Sequence, residues 1–298
     1  MTLVPSTEKD FNTVSFLEFL REESNGKIQL EDEKVFIAES VDSTSTRLKA
    51  LLNESGPLFD DEGNLSSTGK KLHKTILASA SQSSGYGRLS RSFYSLKNDG
   101  IYFSFIYIPK SEVINPAFYT VSSAVAVSLA VEELLDVKTS IKWVNDVFVD
   151  GKKVCGILSE GYCPPNAGKI QAMVIGIGIN LHTESSTLPD EIKDTAGGIL
   201  DSSRKINCNR AQLLAKVMAN CIEYLDGGNE AWKNVVAEYK KRSYLDGKTI
   251  RVTPIVGQDK GSYHAKVLGI TDKAELEVEC EDGSIKKLST GEVTLHQN

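Results

Sequence analysis

The chain has 298 residues, 40% hydrophobic and 25% charged, which is enough apolar mass for a core of ordinary globular size. Its formal net charge of −6 argues against a broad electrostatic grip on nucleic acid. The five cysteines, Cys155, Cys163, Cys208, Cys221 and Cys280, are scattered and include no C-x-x-C pair, so reduced thiols fit better than a disulfide frame or a zinc site.

The N-terminus has no basic start followed by an apolar run, so no secretory signal is expected. Residues 1–32 are polar apart from Phe16 to Leu20. They predict one helix packed on the surface, too short a segment for a winged helix-turn-helix. Val35 to Ala38 reads as a strand. Asp42-Ser43-Thr44 then reads as the cap of a helix running to about Leu52, because short polar oxygens accept the free amides of a first turn. Residues 53–71 are rich in Gly, Pro, Asp and Ser with little periodicity and predict an exposed, mobile excursion.

Thr75 to Ala80 is strand-like, and a polar loop from Ser81 to Asp99 follows. Ile101 to Ile108 is rich in aromatic and β-branched residues and predicts a central strand. Ala117 to Leu135 is the most apolar long stretch. It contains Ser122, Ser123, Ser128, Glu132 and Glu133, which suits a buried core helix better than a membrane span. Ser140 to Val144, Val147 to Val149 and Val154 to Glu160 predict strands, with Asp150-Gly151 as a hairpin turn. Ile170 to Ile177 is a further strand, leading into Gly176 to Asn180. Residues 209–225 and 229–242 have the period of two amphipathic helices. Beyond Ser243 the pattern changes to short strands at Thr249 to Val256, Tyr263 to Ile270, Glu275 to Cys280 and Ile285 to Leu288, which predicts a small all-β barrel.

Three segments carry candidate chemistry. In Gly85-Tyr86-Gly87-Arg88-Leu89-Ser90-Arg91, the glycines let backbone amides approach an anion, and Arg88 and Arg91 add fork-shaped donors. A surface loop with two solvated arginines has the same composition. In Lys142-Trp143-Val144-Asn145-Asp146 and Gly151 to Glu160, a hairpin would bring Lys142 and Lys153 onto neighbouring strands near Asn145 and Asp146. The oxygens of Asn145 and Asp146 suit a magnesium ion that keeps several waters, and a nearby lysine can neutralise an acyl carboxylate and a phosphate together. A plain hairpin with exposed lysines and a core Trp is the alternative. In Gly176-Ile177-Gly178-Ile179-Asn180 the glycines allow a ligand against the backbone, yet the segment alone is no more than a strand bulge. No Walker A and no dinucleotide fingerprint is present.

Taken in order, the segments resemble the biotin–protein ligase family, which includes the bifunctional biotin operon repressors. Asp42-Ser43-Thr44-Ser45 resembles its D-S-T-N. Gln82 through Arg88 resembles Q-x-x-G-R-G-R, and Arg91 to Ser95 resembles R-x-W-x-S. Lys142 to Asp146 resembles K-W-P-N-D, Lys153 to Glu160 resembles K-x-x-G-I-L-x-E, and Gly176 to Asn180 resembles G-x-G-x-N. The likeness spans roughly residues 35–298. Tyr86 stands where the family has Arg, Ser45 where it has Asn, Phe93 where it has Trp and Val144 where it has Pro.

The resemblance implies an α/β (α+β) fold: a class II aminoacyl-tRNA-synthetase-like catalytic domain with a mixed sheet flanked by helices, plus an SH3-like C-terminal β-barrel. The expected layout is an extension over 1–32, a catalytic domain over 33–243 and the barrel over 244–298. It implies ATP and Mg2+ as cofactors, biotin as substrate and a carboxylase's biotin carboxyl carrier domain as partner. The setting would be cytoplasmic, with no membrane or DNA partner, and a homodimer would be compatible. By the same resemblance, Lys153, Arg88 and Asp146 are the catalytic candidates. Ser43, Thr44, Ser45, Gln82, Tyr86, Gly87, Arg88, Lys153 and Gly156 would bind biotin. Arg88, Arg91, Phe93, Lys142, Trp143, Asn145 and Asn180 would bind nucleotide, and Asn145 and Asp146 the metal. The competing readings are a lipoate–protein ligase and a non-catalytic module that senses biotinyl-adenylate.

Overall fold

The computed structural model describes residues 3–97, 99–110, 113, 115–165, 167–200, 208–253 and 261–295. Seven strands form a mixed sheet: β1 (Val35–Ala38), β2 (Ile76–Ser79), β3 (Gly100–Tyr107), β4 (Ser140–Lys142), β5 (Asp146–Val149), β6 (Lys152–Tyr162) and β7 (Ala172–Asn180). Their spatial order is β1-β2-β3-β7-β6-β5-β4. Only the β1–β2 pair is parallel. All eight residues of β3 are buried, as its apolar composition predicts for a strand covered on both faces.

Alternation along the strands divides the sheet into two faces. Ile101, Phe103, Phe105 and Tyr107 join the main core beneath helices α1 (Thr13–Glu23), α4 (Ala117–Leu135) and α5 (Arg210–Lys241). The opposite face carries a smaller cluster, in which Leu77, Ile106 and Val174 meet Leu48 and Leu52 of helix α2 (Thr44–Asn53). Ser43 caps α2 by accepting from the Thr46 amide. Along β7, residues of this second face shrink from Val174 to Gly176 and Gly178, and the sheet there is left open.

Helix α4 is long and apolar enough to cross a membrane, but about two-thirds of that stretch is buried within the protein. Helix α5 covers both segments predicted as separate helices. They meet at Gly228, whose φ of 54° and ψ of −132° break the helical path. Asp150 (φ 50°) and Gly151 (φ 79°) make the tight turn between β5 and β6.

As expected of one helix packed on the surface, α1 buries Phe16 and Leu20 in the main core against α5 and leaves Val14 68% exposed. One expectation is corrected here: 53–71 is not simply an exposed excursion. Its end enters helix α3 (Ser67–Leu72), and Leu58 and Leu72 are buried in the second cluster. Gly69 permits that packing, since a Cβ there would lie 2.1 Å from the Leu58 carbonyl oxygen.

The C-terminal residues form a five-stranded antiparallel sheet from β8 (Thr249–Thr253), β9 (Tyr263–Ile270), β10 (Leu276–Cys280), β11 (Ile285–Leu288) and β12 (Glu292–Leu295), ordered β11-β10-β9-β8-β12. This is a small β unit. Among the described residues no pairing joins β11 to β12 to close a barrel. The expected strand tail at 254–256 lies outside the described residues. Strand β12 is an addition to the sequence reading. The unit is fastened to the larger sheet by the Trp143 indole N–H, which donates to Ala274 O at 2.9 Å, and by Tyr244 stacked on Phe148 at 4.8 Å.

Candidate active site

The open part of the second face is a cleft of about 420 Å³. Strand register builds its floor. Lys142 pairs with Asp146, Asp146 with Gly156, Gly156 with Gly178 and Gly178 with Tyr102, so these residues form one row across five strands. The next row on that face holds Leu158, Gly176 and Ser104. The glycines remove side chains where the sheet would otherwise fill the cleft. The Phe93 ring lies there instead, and a Cβ on Gly178 would come within 2.4 Å of it.

Lys142 and Lys153 are not on neighbouring strands. Two successive turns put β5 between β4 and β6, so Asp146 stands between the lysines. Lys153 Nζ lies 2.7 Å from Asp146 Oδ1. Burial holds the Lys142 ammonium below the usual lysine range; Asp146 opposes that shift and Lys153 adds to it. Cys155 also lines the cleft, but burial pushes its thiol far up and leaves it no nucleophile.

The loop from Ser81 to Ser95 forms the roof. Arg88 donates to Asn145 Oδ1 at 3.2 Å and to Gly291 O at 3.1 Å, joining the larger sheet to the C-terminal unit. Arg91 pairs with Glu292 at 2.8 Å on the exposed rim. Asn145 is held from its other side by donating to Ile157 O at 3.0 Å. The Tyr86 hydroxyl donates to Glu160 Oε2 at 2.8 Å, and Lys49 Nζ lies 2.8 Å from Glu160 Oε1. Burial works against the Lys49 charge, but the bonds to Glu160 and Tyr86 outweigh it and raise the ammonium above its usual range. Burial likewise raises the Tyr86 phenol.

At one end, α2 presents Ser43, Thr44 and Ser45 to the cleft. Gln82 Oε1 accepts from the Thr44 amide at 2.8 Å and the Thr44 hydroxyl at 3.1 Å, while its Nε2 donates to Ser95 Oγ at 3.0 Å. At the other, Asn180 is 7% exposed, and its Oδ1 has no hydrogen-bond partner among the described residues. A buried, unpaired acceptor beside an open cleft is a group placed to meet a ligand.

Every candidate residue from the sequence lines this one cleft: Ser43, Thr44, Ser45, Gln82, Tyr86, Gly87, Arg88, Arg91, Phe93, Lys142, Trp143, Asn145, Asp146, Lys153, Gly156 and Asn180. Glu160 stood in the last sequence position of the Lys153 motif without an assigned role; sequence reasoning missed Lys49, which with Glu160 clamps Tyr86, and Ser104 behind the serine end. It also missed Gly291, Glu292 and Val293, which close one wall. No motif marks these; their approach depends on how the elements dock.

A family model described as "Biotin/lipoate A/B protein ligase family" matches residues 38–180. The bifunctional ligase/repressor BirA of Bacillus spizizenii is 30% identical over 242 residues, which are 78% of this chain and 72% of that protein. The biotin–[acetyl-CoA-carboxylase] ligase of Mycobacterium tuberculosis is 26% identical over 199 residues, 64% of this chain and 69% of that one. Among solved structures, a biotin protein ligase from Aquifex aeolicus in complex with biotin and ATP aligns with a TM-score of 0.68 and 28% identity, over 89% of this chain and 99% of that one. The fold is therefore that of a ligase. The chain belongs to the biotin/lipoate A/B protein ligase family, and within it the likeness is to the biotin protein ligases.

Proposed function

We propose that this chain activates biotin with ATP and then transfers it to a lysine of a biotin carboxyl carrier domain. In the first step the biotin carboxylate attacks the α-phosphorus of ATP, forming biotinyl-5′-AMP and releasing pyrophosphate. In the second, the carrier amine attacks the mixed anhydride, an amide forms and AMP leaves with the bonding pair. The observation that carries the reading is the convergence of Lys142, Lys153 and Arg88 on a glycine-floored cleft.

Neither step needs an enzyme nucleophile. Positioning and charge neutralisation can supply on the order of ten kcal/mol in such reactions. Lys153 is placed to exchange its contact with Asp146 for the biotin carboxylate and α-phosphate. Arg88 would hold phosphate while keeping the roof over the anhydride, which excludes water. Arg91, Phe93, Lys142, Trp143 and Asn180 would contact nucleotide. The donor set fits a magnesium ion delivered on the phosphates, because such an ion keeps most of its waters and needs few protein oxygens. Asn145 and Asp146 would hold it, and it would supply charge neutralisation on the phosphates. Asp146 would then orient the incoming amine. A carboxylase as the carrier's owner is supported by the name of the mycobacterial relative, and we place the reaction in the cytoplasm.

The test is ATP-dependent pyrophosphate release with biotin, lipoate or neither, followed by mass spectrometry of a carrier domain. Biotin-dependent release and a biotinylated carrier are expected. Lipoylation without biotinylation would overturn the reading, and so would a bound adenylate without turnover.

A further inference from the structure

We infer that Ser104 is a positioning residue that sets which hydrogen-bonding sense the Thr44 and Ser45 hydroxyls show to the substrate, and so a determinant of specificity for a ring bearing N–H donors. The inference rests on the biotin reading above.

Ser104 lies on β3 and is fully buried, with no part of it in the cleft lining. Its Oγ is 2.7 Å from Thr44 Oγ1 and 2.8 Å from Ser45 Oγ. The three hydroxyls hold three protons, and neighbouring bonds determine where each one goes. The Gln82 amide has one possible orientation: its oxygen must face the Thr44 amide N–H, which it meets at 2.8 Å. Thr44 Oγ1 then lies 3.1 Å from that same oxygen, and we assign the Thr44 proton to this contact, since otherwise two acceptors would face each other there. With that proton spent, Thr44 can only accept from Ser104. Ser104 has then used its own proton, and Ser45 must donate to Ser104.

The chain of donation therefore runs Ser45 to Ser104 to Thr44 to Gln82. Its result is that Thr44 and Ser45 turn only lone pairs toward the cleft. Ser43 differs. Its Oγ accepts from the Thr46 amide at 3.3 Å, and none of its bonds among the described residues uses its proton. The wall thus offers two acceptors and one donor. A cyclic urea has the complementary set, two N–H donors and one carbonyl acceptor. A dithiolane ring has neither and gains nothing here. An uncompensated buried polar group is penalised more than a satisfied one is rewarded, so a wall of defined polarity discriminates strongly. Gly176 is part of the arrangement, since a Cβ there would sit 2.6 Å from Ser45 Oγ.

The test measures pyrophosphate release with biotin and with both regioisomers of an analogue in which one ring N–H is replaced by oxygen. For Ser104→Ala we expect a roughly tenfold higher KM for biotin, since one hydrogen bond is worth about that factor, with kcat and the KM for ATP within about twofold. The preference of the native chain for biotin over the better-matched regioisomer should fall several-fold, because the freed Ser45 proton can turn to the ring oxygen. Should Ser104→Ala fail to fold by circular dichroism, Ser45→Ala serves: it should weaken biotin but not the regioisomer whose oxygen faces position 45. A folded Ser104→Ala, or Ser45→Ala in its place, with native discrimination would overturn the inference, as would a loss confined to kcat. A native chain that releases no pyrophosphate with biotin would instead sink the reading on which the inference rests.

Discussion

The Tyr86 hydroxyl donates a 2.8 Å hydrogen bond to Glu160, whose other carboxylate oxygen is held 2.8 Å from Lys49. Three elements are thereby clamped together: the roof loop, strand β6 and helix α2. Tyr86→Phe keeps the ring but removes the bond. Leaving Glu160 with one partner should cost about 1 kcal/mol of roof closure. We expect biotinyl-AMP to escape into solution several-fold faster, measured as free adenylate per biotinylated carrier, with the melting temperature nearly unchanged. An unaltered escape ratio would show that the Tyr86–Glu160 bond does not hold the roof.

Lys153→Ala should lower adenylation by about 10²–10³-fold, the usual scale for one charge-stabilising donor. It also leaves Asp146 without the ammonium 2.7 Å away. Lys153→Met, which fills the same space, distinguishes lost charge from lost packing. Both variants should fold and release little pyrophosphate; near-native release would remove Lys153 from the reaction.

Gly178→Ala tests the glycine floor. The added methyl would stand 2.4 Å from the Phe93 ring, so the ring must move. Crowding of this kind typically costs about 1–3 kcal/mol. In a Phe93→Ala background the penalty should vanish, which urea titration of the four-member cycle can measure. Additive effects would mean the two sites do not meet.

His73 makes stability depend on pH. Its Nδ1 accepts from the Ile108 amide at 3.0 Å, so the neutral ring is the one that fits. Burial, then the Lys74 charge, lowers its pKa from 6.5 to about 4. Between those values the unfolded chain binds more protons than the folded one. Stability contributed by the neutral ring is therefore present above about pH 6.5 and is lost as pH falls to about 4. His73→Gln should flatten the melting temperature over that window. An equal slope in both proteins would assign the pH dependence to other groups.

The candidate side chains were legible because they travel in short motifs whose chemistry is local. Gly85 to Arg88, Lys142 to Asp146 and Gly176 to Asn180 each announce close backbone approach or charge. The extent of β3 and α4 was legible for a similar reason, since composition and period are enough for fully buried elements. Residues 53–71 were misread because Leu58 and Leu65 are single apolar residues in a polar stretch, yet they meet at Gly69 and join Leu72 in the second cluster. Lys142 and Lys153 were misplaced for want of register: a second turn interposes Asp146.

The sequence by itself determined the family, the element types and which side chains face one cleft, because local pattern and ordered motifs encode them. Only the tertiary structure decided who holds whom. Tyr86 reaches Glu160 across 74 positions, and Arg88 reaches Gly291 across 203. Ser104 stands behind Thr44 and Ser45 from 60 and 59 positions away. Those partners are set by strand order and sheet docking, which bring distant polar groups within 3 Å or so and leave no trace in any local window.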